Sequence, residues 1–363
     1  HFVLATILEE EVEAFVGAKR YQRSEQRRDH RNGSYTRGLV TGVGQIQDLA
    51  VPRTRQGFQT QLFERYRRRQ AQLDEAMYDM FVGGVSTSRV GEVIEGLTGS
   101  QPSPSTVSRV FHTLEGEFAD WKSRTLAADY AYVFADGTYF SVIYNHQEHK
   151  MPILAVVGIN LAGEREVLAF SVGERENQTA WEELLEDLKR RGVQHIGLWI
   201  TDGNQATINA VEGKFPDSRR QRCVKHKMDN VLSYIPKGQR DQVEPELKAI
   251  FYQDSREQAD QEATAFCEKF QALYPSAVDC LQRDLEACLT FYAFPKAHWK
   301  TIRTTNVIER LFGEVKKRSH KMAAAFRNES SCLLMFYAVV RSLTFKNISM
   351  LTQEAGPTNL HRI

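Results

Sequence analysis

The 363-residue chain carries 47 Lys and Arg against 46 Asp and Glu, a net charge of +1, with 42% hydrophobic residues. That length gives room for two or three domains with buried cores, and no apolar run is long enough to cross a bilayer. Five cysteines (Cys223, Cys267, Cys280, Cys288 and Cys332) with no paired spacing argue against a disulfide framework and for a reduced, cytoplasmic protein. The chain begins at His1 rather than Met, so a further N-terminal stretch is expected ahead of it, and a targeting segment there stays open.

The near-neutral total hides an uneven distribution. Between Lys19 and Arg69 there are thirteen Lys and Arg against four Asp and Glu, whereas acids gather in 174–187 and 241–286. A basic head on an acidic body suits a protein that grips phosphates at one end. In chain order, residues 1–16 have helical periodicity, 23–38 read as a polar, arginine-rich loop, and 39–55 alternate apolar and polar residues with glycine punctuation, as a β-hairpin does. Arg53 and Arg55 follow its Pro52. Helical period returns over 63–84, where Tyr66 and Arg67, Arg68 and Arg69 form either a phosphate-contacting stripe or a solvated helix face.

Residues 85–118 have the form of a helix-turn-helix. Ser86 caps a first helix that ends near Leu97, Gly99 makes the turn, and Ser103 caps a second helix with Pro104 at its first position. In a DNA-binding unit, Ser105, Thr106 and Arg109 would lie toward the end that meets base edges; an ordinary helical hairpin accounts for the same pattern. From 130 the pattern turns to β, with strands expected at 131–135, 138–144, 151–159 and 166–172, a helix at 179–191 and a strand at 195–201. A helix over 204–214, then a strand leading into a helix near 226–235, follow. Residues 236–298 show strong helical periodicity and no strand, and helices over 306–320 and 329–346 close the chain.

Three acids stand out in this layout. Asp136 interrupts the apolar run YVFADGTYFSVI, Asp202 follows the apolar run that opens HIGLWITDGNQA, and Glu309 lies in the basic helix RTTNVIERLFGEVKKR. Carboxylates converging from two strand ends and a helix are what two-metal phosphoryl transfer requires, because the cations clamp the attacking and leaving oxygens together. Each acid has a plainer reading. The two Asp-Gly pairs could be turns, and Asn306-x-x-Glu309 could be a capping box. Cys223-x-x-His226 could be half of a zinc site, but a closed zinc site takes four ligands and the remaining Cys and His are scattered. His226 is therefore expected near the active site, beside the strand that carries Asp136, with Cys223 in the core. Trp299 is expected in the core, with base stacking as the alternative. Lys316, Lys317 and Arg318 either complement a helix dipole or face phosphates.

The chain resembles the IS256/Mutator-like group of insertion-sequence transposases. The resemblance runs in order through RNGSYTRGLVTGVGQIQDLAVPRTRQG, GGVSTSRVGEVIEGLTG with PSTVSRV, ADGTYF, DLKRRGV, ITDGNQA, FPDSRRQRCVKHKMDNVL and RTTNVIERLFGEVKKRS. It implies an α/β fold: an RNase H-like catalytic core interrupted by an α-helical insertion, preceded by a mostly helical DNA-binding region with a helix-turn-helix. The expected division is a basic DNA-binding and dimerisation region at 1–82, a helix-turn-helix domain at 83–125, the core at 126–235 and 299–363, and the insertion at 236–298. Asp136, Asp202 and Glu309 match the family's three catalytic acids, and Cys223 and His226 its Cys-x-x-His motif. The resemblance further implies two Mg²⁺ or Mn²⁺ ions per site, double-stranded DNA ends with terminal inverted repeats as substrate, a homodimer, a nucleoid-associated location, and strand transfer through a circular intermediate. A nuclease or resolvase without strand transfer, and a silent DNA-binding descendant of a transposase, are the competing readings.

Overall fold

The computed structural model describes residues 2–42, 44–62, 69, 71–144, 147–172, 177–321, 329–343 and 347–350. The chain divides into two compact units, residues 1–115 and 116–363.

In the first unit, α1 (Phe2–Val16) buries Leu8, Val12 and Val16, a stripe at four-residue spacing that makes one helix face. It packs on an antiparallel hairpin of β1 (Arg31–Thr41) and β2 (Gly44–Thr54), where Leu39, Leu49 and Val51 meet Leu8. The arginine-rich stretch expected as loop is therefore strand from Arg31 onward: its partner β2 supplies the backbone hydrogen bonds that composition alone does not forecast. Three short helices follow, α2 (Ala71–Val82), α3 (Thr87–Thr98) and α4 (Pro104–His112). They share a core of Leu73, Met77, Val90, Ile94 and Val107.

The caps of α3 and α4 are those expected. The Ser86 side chain accepts from Arg89 N–H, Gly99 closes α3 in the left-handed region at φ 70°, and the Ser103 side chain accepts from Thr106 N–H with Pro104 opening α4. Gly91 lets α3 approach the link to α4 closely, since a Cβ there would lie 2.7 Å from Pro102 O. Helix α5 (Leu114–Ser123) follows in the chain.

The second unit is built on a five-stranded sheet ordered β5-β4-β3-β6-β7. Strands β3 (Asp129–Tyr144), β4 (Gln147–Asn160) and β5 (Arg165–Val172) form an antiparallel meander. After α6 (Gln178–Arg190), β6 (His195–Thr201) returns parallel to β3. After α7 (Gln205–Lys214), β7 (Arg219–Arg222) adds parallel to β6. Two sequence expectations are corrected here. The strands expected at 131–135 and 138–144 are one: β3 runs unbroken through Asp136 and Gly137, which pair with Ala155 and Leu154 of β4, so Asp136 lies within a strand and not at its end. The segment before Cys223 lies beside β6, the strand that leads to Asp202, and not beside β3.

Trp181, Leu184, Leu185 and Leu188 of α6 pack with Val133, Trp199, Val211 and Phe215 into one core layer. Helices α8 (Val224–Ser233), α9 (Lys237–Ile250), α10 (Arg256–Phe270), α11 (Pro275–Arg283), α12 (Leu285–Leu289) and α13 (Lys296–Ile302), with a 3-10 turn at Thr290–Ala293, carry no strand among the described residues. Helices α14 (Asn306–Lys321) and α15 (Glu329–Ser342) follow, and α14 packs against β3 and β4. The stripe Ile308, Leu311, Phe312 and Val315 is buried, as its 3–4 spacing demands.

Candidate active site

Asp136 and Asp202 are brought together by strand register. Ala135 of β3 pairs with Thr201, the last residue of the parallel β6, so Asp136 is the next residue on β3 and Asp202 the first residue beyond the end of the neighbouring strand. Asp136 is 6% exposed and its Oδ1 accepts from Gly137 N–H at 2.8 Å. Burial pushes its carboxyl up, the Asp202 charge adds to that, and the net position is about 7 despite the opposing charge of His226. Asp202 sits in the turn out of β6: Gly203 follows at φ 93°, and Asp202 Oδ1 accepts from Asn204 N–H at 2.9 Å. Asn204 in turn caps α7 through Ala206 N–H.

The third acid arrives on α14. Glu309 N–H bonds to Thr305 O at 3.1 Å, so Thr305, not Asn306, sits at the cap position. That shift removes the Asn306–Glu309 capping box, the plainer reading of this pair, which needs the acid three residues after the cap. The reason is tertiary: Thr305 is wholly buried, with both its N–H and its Oγ1 3.3 Å from Cys223 Sγ. Glu309 lies at the flank of the buried stripe, and its charge acts on Asp136. Lys225 Nζ donates to Glu309 Oε2.

Cys223 and His226 line the same place. Cys223 N–H bonds to Thr201 O at 2.7 Å, and Val224 N–H bonds to Arg303 O at 2.9 Å. The start of α8 is thus pinned between the end of β6 and the approach to α14. His226 Nε2 stands 4.0 Å from Glu309 Oε1, and Nδ1 is 3.5 Å from Thr305 Oγ1. The hydrogen bond to Cys223 and the charges of Cys223, Asp136 and Asp202 outweigh burial and raise the His226 imidazole to about 9. Burial pushes the Cys223 thiol up, but hydrogen bonds with His226 and Thr305 bring it net below its ordinary value. Sequence reasoning placed Cys223 in the core and His226 near the acids; it assigned no role to Lys225 or Thr305, although both lie inside stretches singled out, FPDSRRQRCVKHKMDNVL and RTTNVIERLFGEVKKRS.

Behind Asp202 lies a second charged group that the sequence did not announce. The Arg222 guanidinium packs against Gly203, where a Cβ would come within 2.7 Å of it. Arg222 also bonds to Asp284, in the link between α11 and α12, and Lys227, 1% exposed, stands 3.5 Å from the same carboxylate.

The remaining expected contacts are spread over other elements. Arg53 is exposed and lies over the Tyr35 ring at 4.8 Å, and Arg55 is exposed near it. Tyr66, Arg67 and Arg68 lie outside the described residues, and Arg69 pairs with Asp74 at 3.0 Å. On α4, Arg109 is exposed, while Ser105 and Thr106 hydroxyls lie 2.8 and 3.0 Å from Ser103 Oγ. Lys316 Nζ donates to Thr138 Oγ1 at 2.6 Å on β3. Lys317 and Arg318 pair with Glu314 at 2.9 and 2.7 Å. Trp299 is half-buried, packs on Phe291 and Tyr292, and donates its indole N–H to Phe294 O. Among the described residues, no helix is long and apolar enough to cross a membrane.

Residues 1–348 match the family described as "Transposase, Mutator family". The chain is 31% identical over 338 residues to the transposase for insertion sequence element ISRM5 of Rhizobium meliloti, covering 93% of this chain and 84% of the relative. It is 30% identical over 342 residues to the transposase for IS905 of Lactococcus lactis, covering 94% and 86%. It is 31% identical over 345 residues to the transposase for IS256 in transposon Tn4001 of Staphylococcus aureus, covering 94% and 88%. The chain belongs to the Mutator family of transposases.

Proposed function

We propose that this transposase cleaves double-stranded DNA at the ends of its element and joins the freed ends to a second phosphodiester, with Asp136, Asp202 and Glu309 as the ligands of two Mg²⁺ or Mn²⁺ ions. The observation that carries the reading is the convergence of three carboxylates on a place where burial and mutual repulsion hold the Asp136 carboxyl at about 7. A site that accumulates negative charge at such cost fits hard divalent cations, which prefer all-oxygen donor sets. When bound, the cations supply an activated water or 3′-OH nucleophile and stabilise the leaving oxygen.

The chain's own residues do the rest. The β3–β6 register holds Asp136 and Asp202 side by side, and α14 delivers Glu309 to their flank. His226, as an imidazolium, offers a donor to a phosphate oxygen beside the acids. Lys225 neutralises Glu309 until cations arrive. Glu314, the other acid of α14, is taken up by Lys317 and Arg318, which favours Glu309 as the third ligand. The meander, helix and parallel-strand order of the sheet supports the RNase H-like reading, with α9–α13 as its helical insertion. On this reading α3 and α4 form the helix-turn-helix that reads terminal repeats, Arg53, Arg55 and Arg69 contact phosphates, and the active species is a homodimer that works through a circular intermediate.

The test is incubation of the full chain with labelled element-end DNA and Mg²⁺, followed by strand-specific product analysis. Asp136→Asn, Asp202→Asn and Glu309→Gln should each abolish cleavage and leave end binding intact. Cleavage without joined products would favour a nuclease or resolvase, and end binding without any cleavage would favour a silent descendant.

A further inference from the structure

We propose that Cys223, His226 and Glu309 form a second cation site, selective for a thiophilic ion such as Zn²⁺, which shares Glu309 with the carboxylate centre and switches that centre off when filled. One ligand atom from each of the three residues lies within 4.8 Å of the others. They come from two elements that the fold locks together, since Val224 N–H at the start of α8 bonds to Arg303 O on the approach to α14. The ligand cluster is therefore assembled before any ion arrives.

The donor set decides which ion fits. Thiolate and imidazole select zinc-like ions over Mg²⁺, and three protein ligands with an open position form a four-coordinate site once water joins. A metal ligand must be a thiolate, and the surroundings of Cys223 favour one. Its Sγ receives the backbone N–H and the hydroxyl of Thr305, both at 3.3 Å, in a wholly buried setting. Those donors stabilise negative charge on sulfur and fix its direction. Binding replaces the proton shared by sulfur and imidazole with the cation, and that proton leaves to solvent.

The consequence follows from Glu309 being common to both sites. A cation held there occupies the Glu309 carboxylate, which is then not free to serve a cation at Asp136 and Asp202. The cation site itself stands on the Cys223 geometry, whereas its inhibitory effect rests on Glu309 being the third acid of the proposed function.

Cd²⁺ is the probe, because thiolate ligation gives an ultraviolet charge-transfer band that carboxylates do not give. Titration of the chelator-treated full chain should show this band saturating at one Cd²⁺ per chain, unaffected by excess Mg²⁺. Cys223→Ser should abolish it, Glu309→Gln should weaken binding roughly tenfold or more, and Asp136→Asn should leave it in place. A band absent from the wild type, or one that survives in Cys223→Ser on the other cysteines, overturns the proposal. Should Cys223→Ser fail to fold, His226→Gln carries the test, and unchanged Cd²⁺ affinity in that variant overturns it.

In the cleavage assay, Zn²⁺ added over Mg²⁺ should suppress the wild type, and Cys223→Ser should resist suppression relative to its own zinc-free rate. Cd²⁺ binding at Cys223 with no effect of Zn²⁺ on cleavage would overturn the inhibitory coupling. A wild type that never cleaves would fail the proposed function, while the Cd²⁺ band still decides the site.

Discussion

Asp136 concentrates the conflict between stability and chemistry in one side chain. Its carboxyl stands at about 7 in the folded chain against an ordinary 3.8, through burial first and the charge of Asp202 second. Between those two values the unfolded chain has released a proton that the folded chain keeps. The stabilising contribution is therefore complete below about pH 4 and is lost as the pH rises through 7. The difference is worth about 4 kcal/mol at most. In chelator at pH 8, Asp136→Asn should accordingly be more stable than the wild type to urea by about 2–4 kcal/mol. The gap should close toward pH 4 and shrink when Mg²⁺ is added. Equal urea midpoints for the two proteins across that range would mean that Asp136 carries no such strain.

At the scale of elements, β7 and the helical segment α9–α13 are joined by charge as well as by apolar packing. Asp284 bonds to Arg222, whose guanidinium rests on Gly203 next to Asp202, and it also faces buried Lys227. Asp284→Asn leaves two cations without their counter-charge. Because Asp284 is only partly buried, the cost should fall between that of surface and fully buried pairs, about 2–3 kcal/mol. Thermal melting would measure it. Metal affinity followed by calorimetry should fall with it if Arg222 helps to place Asp202, and unchanged affinity would limit the cluster to stability. Helix α4 carries the specificity prediction. Arg109→Ala should reduce discrimination between terminal-repeat and random DNA more than total affinity, by about 1–3 kcal/mol for a base contact. Because Ser105 and Thr106 already engage Ser103, substitutions there should act in part through the cap, as a lowered melting temperature.

For the molecule as a whole, a net charge of +1 conceals a first unit rich in arginine. If Arg53 and Arg55 meet phosphates, replacing both by Ala should weaken binding to every DNA sequence alike. It should also reduce the salt dependence by about one unit of slope per lost contact. Fluorescence anisotropy over a range of salt concentrations would measure this, and an unchanged slope would assign both arginines to solvent. The contrast with Arg109 separates the two roles, because a positioning contact changes affinity uniformly and a base contact does not.

The sequence by itself determined what local physics controls. Ser86, Gly99, Ser103 and Pro104 marked the ends of α3 and α4, and the 3–4 spacing of Ile308, Leu311, Phe312 and Val315 marked the buried face of α14. Cap and period signals act over a few residues, so they can be read without the fold. The sequence also singled out Asp136, Asp202, Glu309 and His226, but not how they meet. An Asp-Gly step is compatible with both turn and strand, and only pairing with β4 made β3 continuous through Asp136. An Asn-x-x-Glu spacing is compatible with a capping box, and only the bonds of Thr305 to Cys223, eighty-two positions away, moved the cap by one residue. The side-by-side aspartates, the Lys225–Glu309 pair, and the Cys223, His226 and Glu309 cluster were decided by strand register and helix docking, contacts between residues far apart in the chain that no local propensity encodes.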